Sequence, residues 1–398
     1  MRNGHVLAGV LAAGLLVLTV AGLAVAKARR RGLDRWLFSY IRQRSRYHAP
    51  RSGQPVHLLL CIADHFEPRN GGVSATQGRK RVQRWLDDYP RLFGGFRDSD
   101  GHPPRHTFFY PLEQYDRDHL DALSELCHQG FGEVEVHLHH DGDTPEHLRA
   151  CLADYKELLA LRHGLLPRDK RSGQVVYGFI HGCWALDNSR PDGRWCGVNN
   201  ELDILRGTGC YADFTLPSAP SPTQTSTINS IYYAVDDPQR PKSHDRGVPV
   251  GTEPVPANAL MLVQGPLVLD WKRRKWGLIP RIENGCIQGN QPATIERLDN
   301  WLRAGVQVPT RPDWFFVKLH THGAPESNQR VLLGEPMVRF HRDLAQRSRE
   351  DPKFHFHYVT AREMFNLVRA AEAGWKETVN LARDYQLTWQ DWRSTELR

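Results

Sequence analysis

The segment Glu133-Val-Glu-Val-His-Leu-His-His-Asp141 alternates like a β-strand and ends in side chains that divalent metals accept. Residues two apart on a strand share a face, so Glu135, His137 and His139 fall on one side and Val134, Val136 and Leu138 on the other. His140 and Asp141 follow where the strand should pass into a loop. Neutral imidazole nitrogen and carboxylate oxygen are what zinc and its neighbours bind. A polar strand edge with solvated histidines would spell the same letters, because His-x-His recurs by accident. Two further segments argue against that plainer reading. Leu58-Leu-Leu-Cys-Ile-Ala-Asp-His-Phe-Glu-Pro68 is an apolar run ending in Asp64, His65 and Glu67, and Trp314-Phe-Phe-Val-Lys-Leu-His-Thr-His-Gly323 is another ending in His320 and His322. Parallel α/β sheets and barrels build their sites at the C-terminal ends of strands, where all three clusters would lie.

The elements that must position them follow from patterning. The chain has 398 residues, 40% hydrophobic and 24% charged, enough for one large α/β domain. After the first apolar run, a helix is expected near Gly78–Phe93, a strand over Thr107–Pro111 and a helix over Asp116–Gly130. Thr144-Pro145 combines a cap with a first-turn proline and opens a helix reaching about His163. Val175–Ile180 reads as a strand, Asn199–Gly207 as a short helix and Tyr211–Leu216 as a strand. Pro217–Thr227 is a Pro/Ser/Thr loop too polar for the core. Extended segments over Ala259–Leu269 and Gly277–Gly285 flank a basic turn. Helix over Pro292–Gly305, strand over Trp314–Leu319, helix over Pro336–Arg349, strand over Phe354–Val359 and helix over Thr360–Gly374 complete the pattern. Strands alternating with helices imply a parallel sheet with right-handed crossovers.

The amino terminus has a different character. Val6 to Ala26 is uninterrupted Leu, Ala, Val and Gly with one Thr and no charge, about the 20 residues that span a bilayer. A cleaved signal peptide is the rival reading, with Ala24-Val-Ala26 as its site, but the run is longer than a signal core and Lys27-Ala-Arg-Arg-Arg31 follows at once. The positive-inside bias then favours a single-pass membrane protein with its main domain facing the cytoplasm, the periplasmic or extracytoplasmic arrangement being the alternative. Seven cysteines without paired zinc spacing suit a reducing compartment. Net charge is +7, and its basic runs at Lys27–Arg46 and Lys272–Lys275 read as membrane-proximal or solvated surface, not as a nucleic-acid interface. The expected organisation is an anchor over 1–30, a basic juxtamembrane connector over 31–54 lying near headgroups, a barrel-like domain over 55–375 and a polar tail over 376–398.

The order of these motifs resembles the polysaccharide deacetylase superfamily, the NodB-like distorted (β/α) barrels. Cys61-Ile-Ala-Asp-His65 looks like that family's first motif, with His65 at its metal-binding Asp. Glu133–His140 is similar to the second motif, although His-x-His replaces the commoner wider spacing. Phe179-Ile-His-Gly-Cys-Trp-Ala-Leu-Asp-Asn188 sits where the family has an Arg-containing substrate loop. Gly209-Cys-Tyr-Ala-Asp213 looks like the continuation that follows, and Lys318-Leu-His-Thr-His322 is similar to the last motif. The resemblance covers most of 55–370 and lies in order and pattern.

It implies an α/β fold of distorted (β/α) barrel type and a hydrolase removing an N-acyl group from a glycan or lipid-linked sugar, with a divalent metal, Zn2+ first. On that reading His65, His137 and His139 are the metal ligands and Asp64 the base. One of His320 and His322 is the acid that protonates the leaving amine. Trp184, Asp187 and Asn188 bind the sugar. If His65 points away, Asp64 must coordinate instead and the base becomes Glu67 or Asp141. Two rivals stand beside it: a glycosidase working through a carboxylate pair drawn from Asp64, Glu67 and Asp141, and a non-catalytic member of a polysaccharide assembly system.

Overall fold

A computed structural model describes residues 2–43 and 53–389. At its centre is a mixed, mostly parallel sheet of 11 strands. They are β1 (Val56–His65), β2 (His106–Pro111), β3 (Gly132–Leu138), β4 (Tyr177–His181), β5 (Cys210–Asp213), β6 (Ile231–Val235), β7 (Val248–Pro249), β8 (Ala259–Val263), β9 (Cys286–Ile287), β10 (Trp314–Thr321) and β11 (Phe354–Tyr358). The spatial order is β9-β10-β1-β2-β3-β4-β5-β8-β6-β7, with β11 also pairing to β1. Only the β8–β6 and β6–β7 pairs are antiparallel. The described helices are α1 (Arg2–Arg30), α2 (Leu33–Gln43), α3 (Ala75–Phe93), α4 (Arg117–His128), α5 (Pro145–Glu157), α6 (Glu201–Thr208), α7 (Ile295–Ala304), α8 (Glu326–Leu332), α9 (Glu335–Glu350), α10 (Ala361–Glu372) and α11 (Val379–Ala382).

Both faces of the sheet are covered, which is why β1 reads as an unbroken apolar run. Leu58, Leu60 and Ile62 pack with Val82, Trp85 and Tyr89 of α3 and with Leu120 and Leu123 of α4. Leu59, Cys61 and Ala63 face the other way, toward Met364, Phe365 and Leu367 of α10. Helix starts follow their caps. Thr144 accepts from His147 N at α5, and Thr360 and Glu363 form a reciprocal capping box at α10.

The expected barrel is present only as a curl. The strand ladder is open, since β9 and β7 end the order without pairing. Five strand steps separate β10 from β5, about 24 Å if the sheet were flat at the usual 4.8 Å spacing. Yet Lys318 Nζ on β10 donates to Phe214 O and Leu216 O, just past β5, at 2.6 Å each. The sheet must bend strongly for one lysine to reach across it.

Four expectations need correction or placement. Residues 44–52 of the connector lie outside the described residues. The rest of the connector is α2, whose Trp36 is fully buried against Ala219, Ile228 and Leu267 instead of lying at headgroups. The Pro217–Thr227 loop is not too polar for the interior: Thr223, Gln224 and Thr225 are fully buried, and Gln224 Oε1 accepts from Ser218 N and Ala219 N, so its polarity is satisfied. The tail does not begin at 376, because Leu387–Thr388 pairs with Arg168–Asp169 and Arg383 is buried among Asp98, Asp100 and Glu363. Lastly, among the described residues no helix is long and apolar enough to cross a membrane; α1 exposes Leu11, Leu15, Leu18 and Leu23, while several of its other side chains lie outside the description.

Candidate metal centre

Because β1, β2, β3, β4 and β10 run parallel, their C-terminal ends meet at one edge, and the ligand-type residues gather there. Glu67 is at the centre. Its Oε1 lies 3.5 Å from His137 Nε2, 3.8 Å from His139 Nε2 and 3.6 Å from His322 Nε2. His65 completes the ring, with its centroid 5.0 Å from that of His137 and 4.7 Å from that of His322. One ligand atom from each of His65, Glu67 and His137 falls within 4.8 Å of the others. A tetrahedral ion bonded at about 2.0–2.1 Å sets its donors about 3.3 Å apart. The grouping could therefore hold a metal ion after small side-chain adjustments.

The surrounding hydrogen bonds point the same way. His137 Nδ1 meets Ile180 O at 2.7 Å, which places a proton on Nδ1 and leaves Nε2 free to bind, and His139 Nδ1 meets Glu113 Oε1 at 2.5 Å, which orients its ring. His65 Nε2 and His137 Nε2 are buried and have no hydrogen-bond partner. Burial and the neighbouring His322, His137 and His320 hold His65 well below its ordinary value, so it stays a neutral imidazole. Burial alone would raise the Glu67 carboxyl, but the nearby His137, His322 and His139 bring it down to about 2. The cluster is a carboxylate among imidazoles, of which His65 is held neutral, while His139, which burial alone would lower, is raised above its ordinary value by Glu113 and Glu67.

The expected ligands His65, His137 and His139 thus come together, and Glu67 and His322 join them. Asp64 does not. Strand alternation turns it to the opposite face of β1, where it is fully buried with Oδ2 2.8 Å from His106 Nε2 and Oδ1 accepting from Gly323 N at 2.6 Å. It fixes the turn after His322 and is not positioned to act as a base. His320, nearly fully buried, keeps an unpartnered Nδ1 and lines a cavity of about 760 Å³ together with His322 and Trp184. The Trp184 ring is 5.6 Å from His65 and 5.8 Å from His322. Asp187 is buried instead, accepting from Ser243 N at 2.6 Å, and Asn188 Nδ2 donates to Asn199 Oδ1 at 2.9 Å. Both serve the loop's own structure.

Gly182, directly after β4, is required by the site. A Cβ there would lie 2.3 Å from His139 Cδ2, so only glycine leaves room for that ring. The cavity wall is basic, with Arg31, Arg273, Lys275 and Arg281 and without a carboxylate among its lining residues. No protein-family model matches the chain, and no curated protein matches it at a significant level.

Proposed function

We propose that this protein is a metal-dependent hydrolase, with zinc as its first candidate ion, that removes an N-acyl group from a glycan or lipid-linked saccharide. The observation that carries this reading is the convergence of four imidazoles around the Glu67 carboxylate, one of which, His322, lines a substrate-sized cavity. A bound ion of this class would polarise an acyl oxygen and lower the pKa of a bound water. His65, His137 and Glu67 are the tightest donor set, with His139 and His322 able to complete it. His320, held neutral by burial and the charge of Lys318, keeps an unpartnered Nδ1, and we assign it the transfer of a proton to the departing amine. Trp184 offers an aromatic face to a sugar ring. Asp64 and Asp141 are engaged elsewhere, Asp141 Oδ1 accepting from Trp195 N at 2.6 Å, which argues against a carboxylate-pair glycosidase.

The basic cavity wall favours a substrate bearing negative charge, as a phosphate-linked lipid carrier does. Two features support work at a membrane surface. Arg31, the residue after α1, itself lines the cavity. The hairpin Val268–Lys275/Ile279–Glu283 carries exposed Trp271, Trp276 and Leu278 beside its lysines and arginines, and Lys27 Nζ lies 5.2 Å from the Trp276 ring. Tryptophan next to basic residues is the composition of the headgroup zone. The test is acetate release from N-acetylated glycans with and without phosphate-linked lipid, alongside metal quantification. His320→Gln should keep the metal and lose about 10²–10⁴ in kcat. An unchanged kcat, or a wild-type chain that binds no metal, overturns the reading.

A further inference from the structure

A second cluster lies beside the first and has no part in the reaction above. It is formed by His140, the neighbour of His139, by His181 at the end of β4, by Glu201 at the start of α6 and by Cys196. His140 Nε2 is 2.8 Å from His181 Nε2, and Glu201 Oε1 is 3.3 Å from the first and 3.5 Å from the second. Cys196 Sγ falls within the same 4.8 Å grouping. His181 Nδ1 meets Gly182 O at 2.5 Å and therefore carries the proton, leaving Nε2 bare. His140 Nδ1 lies 3.1 Å from Asp143 Oδ2, and neither atom has a formed hydrogen bond. Two imidazole nitrogens and a carboxylate oxygen then meet at one place, and that oxygen, on a fully buried Glu201, has no hydrogen-bond partner. A proton shared between the two imidazoles satisfies the contact between them and leaves Glu201 Oε1 without a donor; a cation satisfies all three groups.

We infer that His140, His181, Glu201 and Cys196 form a second binding site for a zinc-like divalent cation, one that holds the Gly182–Asn188 loop and not the substrate. The cluster's remaining contacts explain that role. Glu201 Oε2 accepts from Asp187 N at 2.6 Å and Cys196 Sγ accepts from Asn188 N at 3.2 Å. Those backbone donors belong to a strained stretch: Cys183, Trp184, Asp187 and Asn188 all have left-handed φ, between 49° and 55°. Two loops are zipped together around the cluster, through Trp195 N to Asp141 Oδ1 and Asp143 N to Cys196 O. Two histidines, a carboxylate and the Cys196 thiol, which donates to Val198 O and Glu201 Oε2 and would give up its proton to a bound cation, have the character of a structural site.

Metal quantification on the full-length chain loaded with zinc tests this. Wild type should retain two equivalents, Glu201→Gln and His137→Gln one each, and the double variant none. The Gln side chain still accepts from Asp187 N, so the loop keeps that bond. Cobalt loading gives an independent readout that needs no buried-charge variant. The wild type should show a thiolate-to-cobalt charge-transfer band that Cys196→Ser abolishes. One equivalent in the wild type with none in His137→Gln, two equivalents in Glu201→Gln, or full cobalt loading without a thiolate band would each overturn the inference.

Discussion

At the scale of single residues, neighbours along β1 have opposite duties. His65 faces the metal grouping, and Asp64, one position earlier, faces the helices and ties down Gly323. Asp64→Ala would leave two buried donors unmet, at about 1–3 kcal/mol each, so urea unfolding should shift to a clearly lower midpoint. A variant as stable as wild type would show that these bonds contribute nothing. The sequence made the imidazoles legible because strand alternation gives His137 and His139 a common side. It misassigned Asp64 because the register of β1 was not followed to its end: Asp64 and His65 differ by one residue and hence by one face. Glu67 was visible only as an alternative, since the chain leaves the strand after His65 and the periodicity that locates a side chain stops there. Asp187 and Asn188 were read as sugar ligands because polar loop residues look alike until their backbone is known.

At the scale of elements, each strand end needs its supporting turn. The turn after β2 brings Glu113 to His139, the turn after β4 leaves room for the His139 ring at Gly182, and the turn after β10 is held by Asp64. Gly182→Ala should therefore weaken metal binding about 10–100-fold, the size of effect usual for a displaced ligand support, and lower thermal stability as well, because the added Cβ also meets Leu138 O at 2.8 Å. Isothermal titration with zinc measures it, and an unchanged Kd would mean that His139 is not a ligand. Most helices and strands were legible from capping and period. Thr144-Pro145 does open α5, and Thr360 does open α10. β6 was passed over: Ile231-Tyr-Tyr-Ala-Val235 is short, lies between two loops and pairs antiparallel at the far side of the sheet, outside the βα rhythm. Helix α2 was read as connector because its aromatic and basic residues suit headgroups as well as they suit a docked helix.

At the scale of the whole molecule, buried ion pairs bind the C-terminal segment to the sheet. Burial would raise the carboxyls of Glu363 and Asp100, but Arg383, Arg105 and Arg362 hold Glu363 below its ordinary value, and His357 and Arg383 bring Asp100 down to about 2. Carboxyls depressed in the folded state stabilise it above their unfolded pKa, and that stability is lost as pH falls through the folded value. Glu135, which burial pushes up to about 8, is protonated in both states below about pH 4 and cannot mask the effect. The urea midpoint should fall steadily between about pH 4 and pH 2; a flat profile there would contradict the assigned pairs. The edge of β1 opposite β10 carries a further consequence. It is divided, Val56–Leu60 pairing with β11 and Ala63–His65 with β2, and the chain passes through that fork where Ala361 N bonds to Thr107 Oγ1. A ribosome releasing this polypeptide would therefore expose β1 unpaired along most of its length until about 250 further residues, as far as Thr321, have emerged. Nascent chains should need chaperone shielding of that strand, and the sheet can reach its native pairing only after β10 and β11 have emerged.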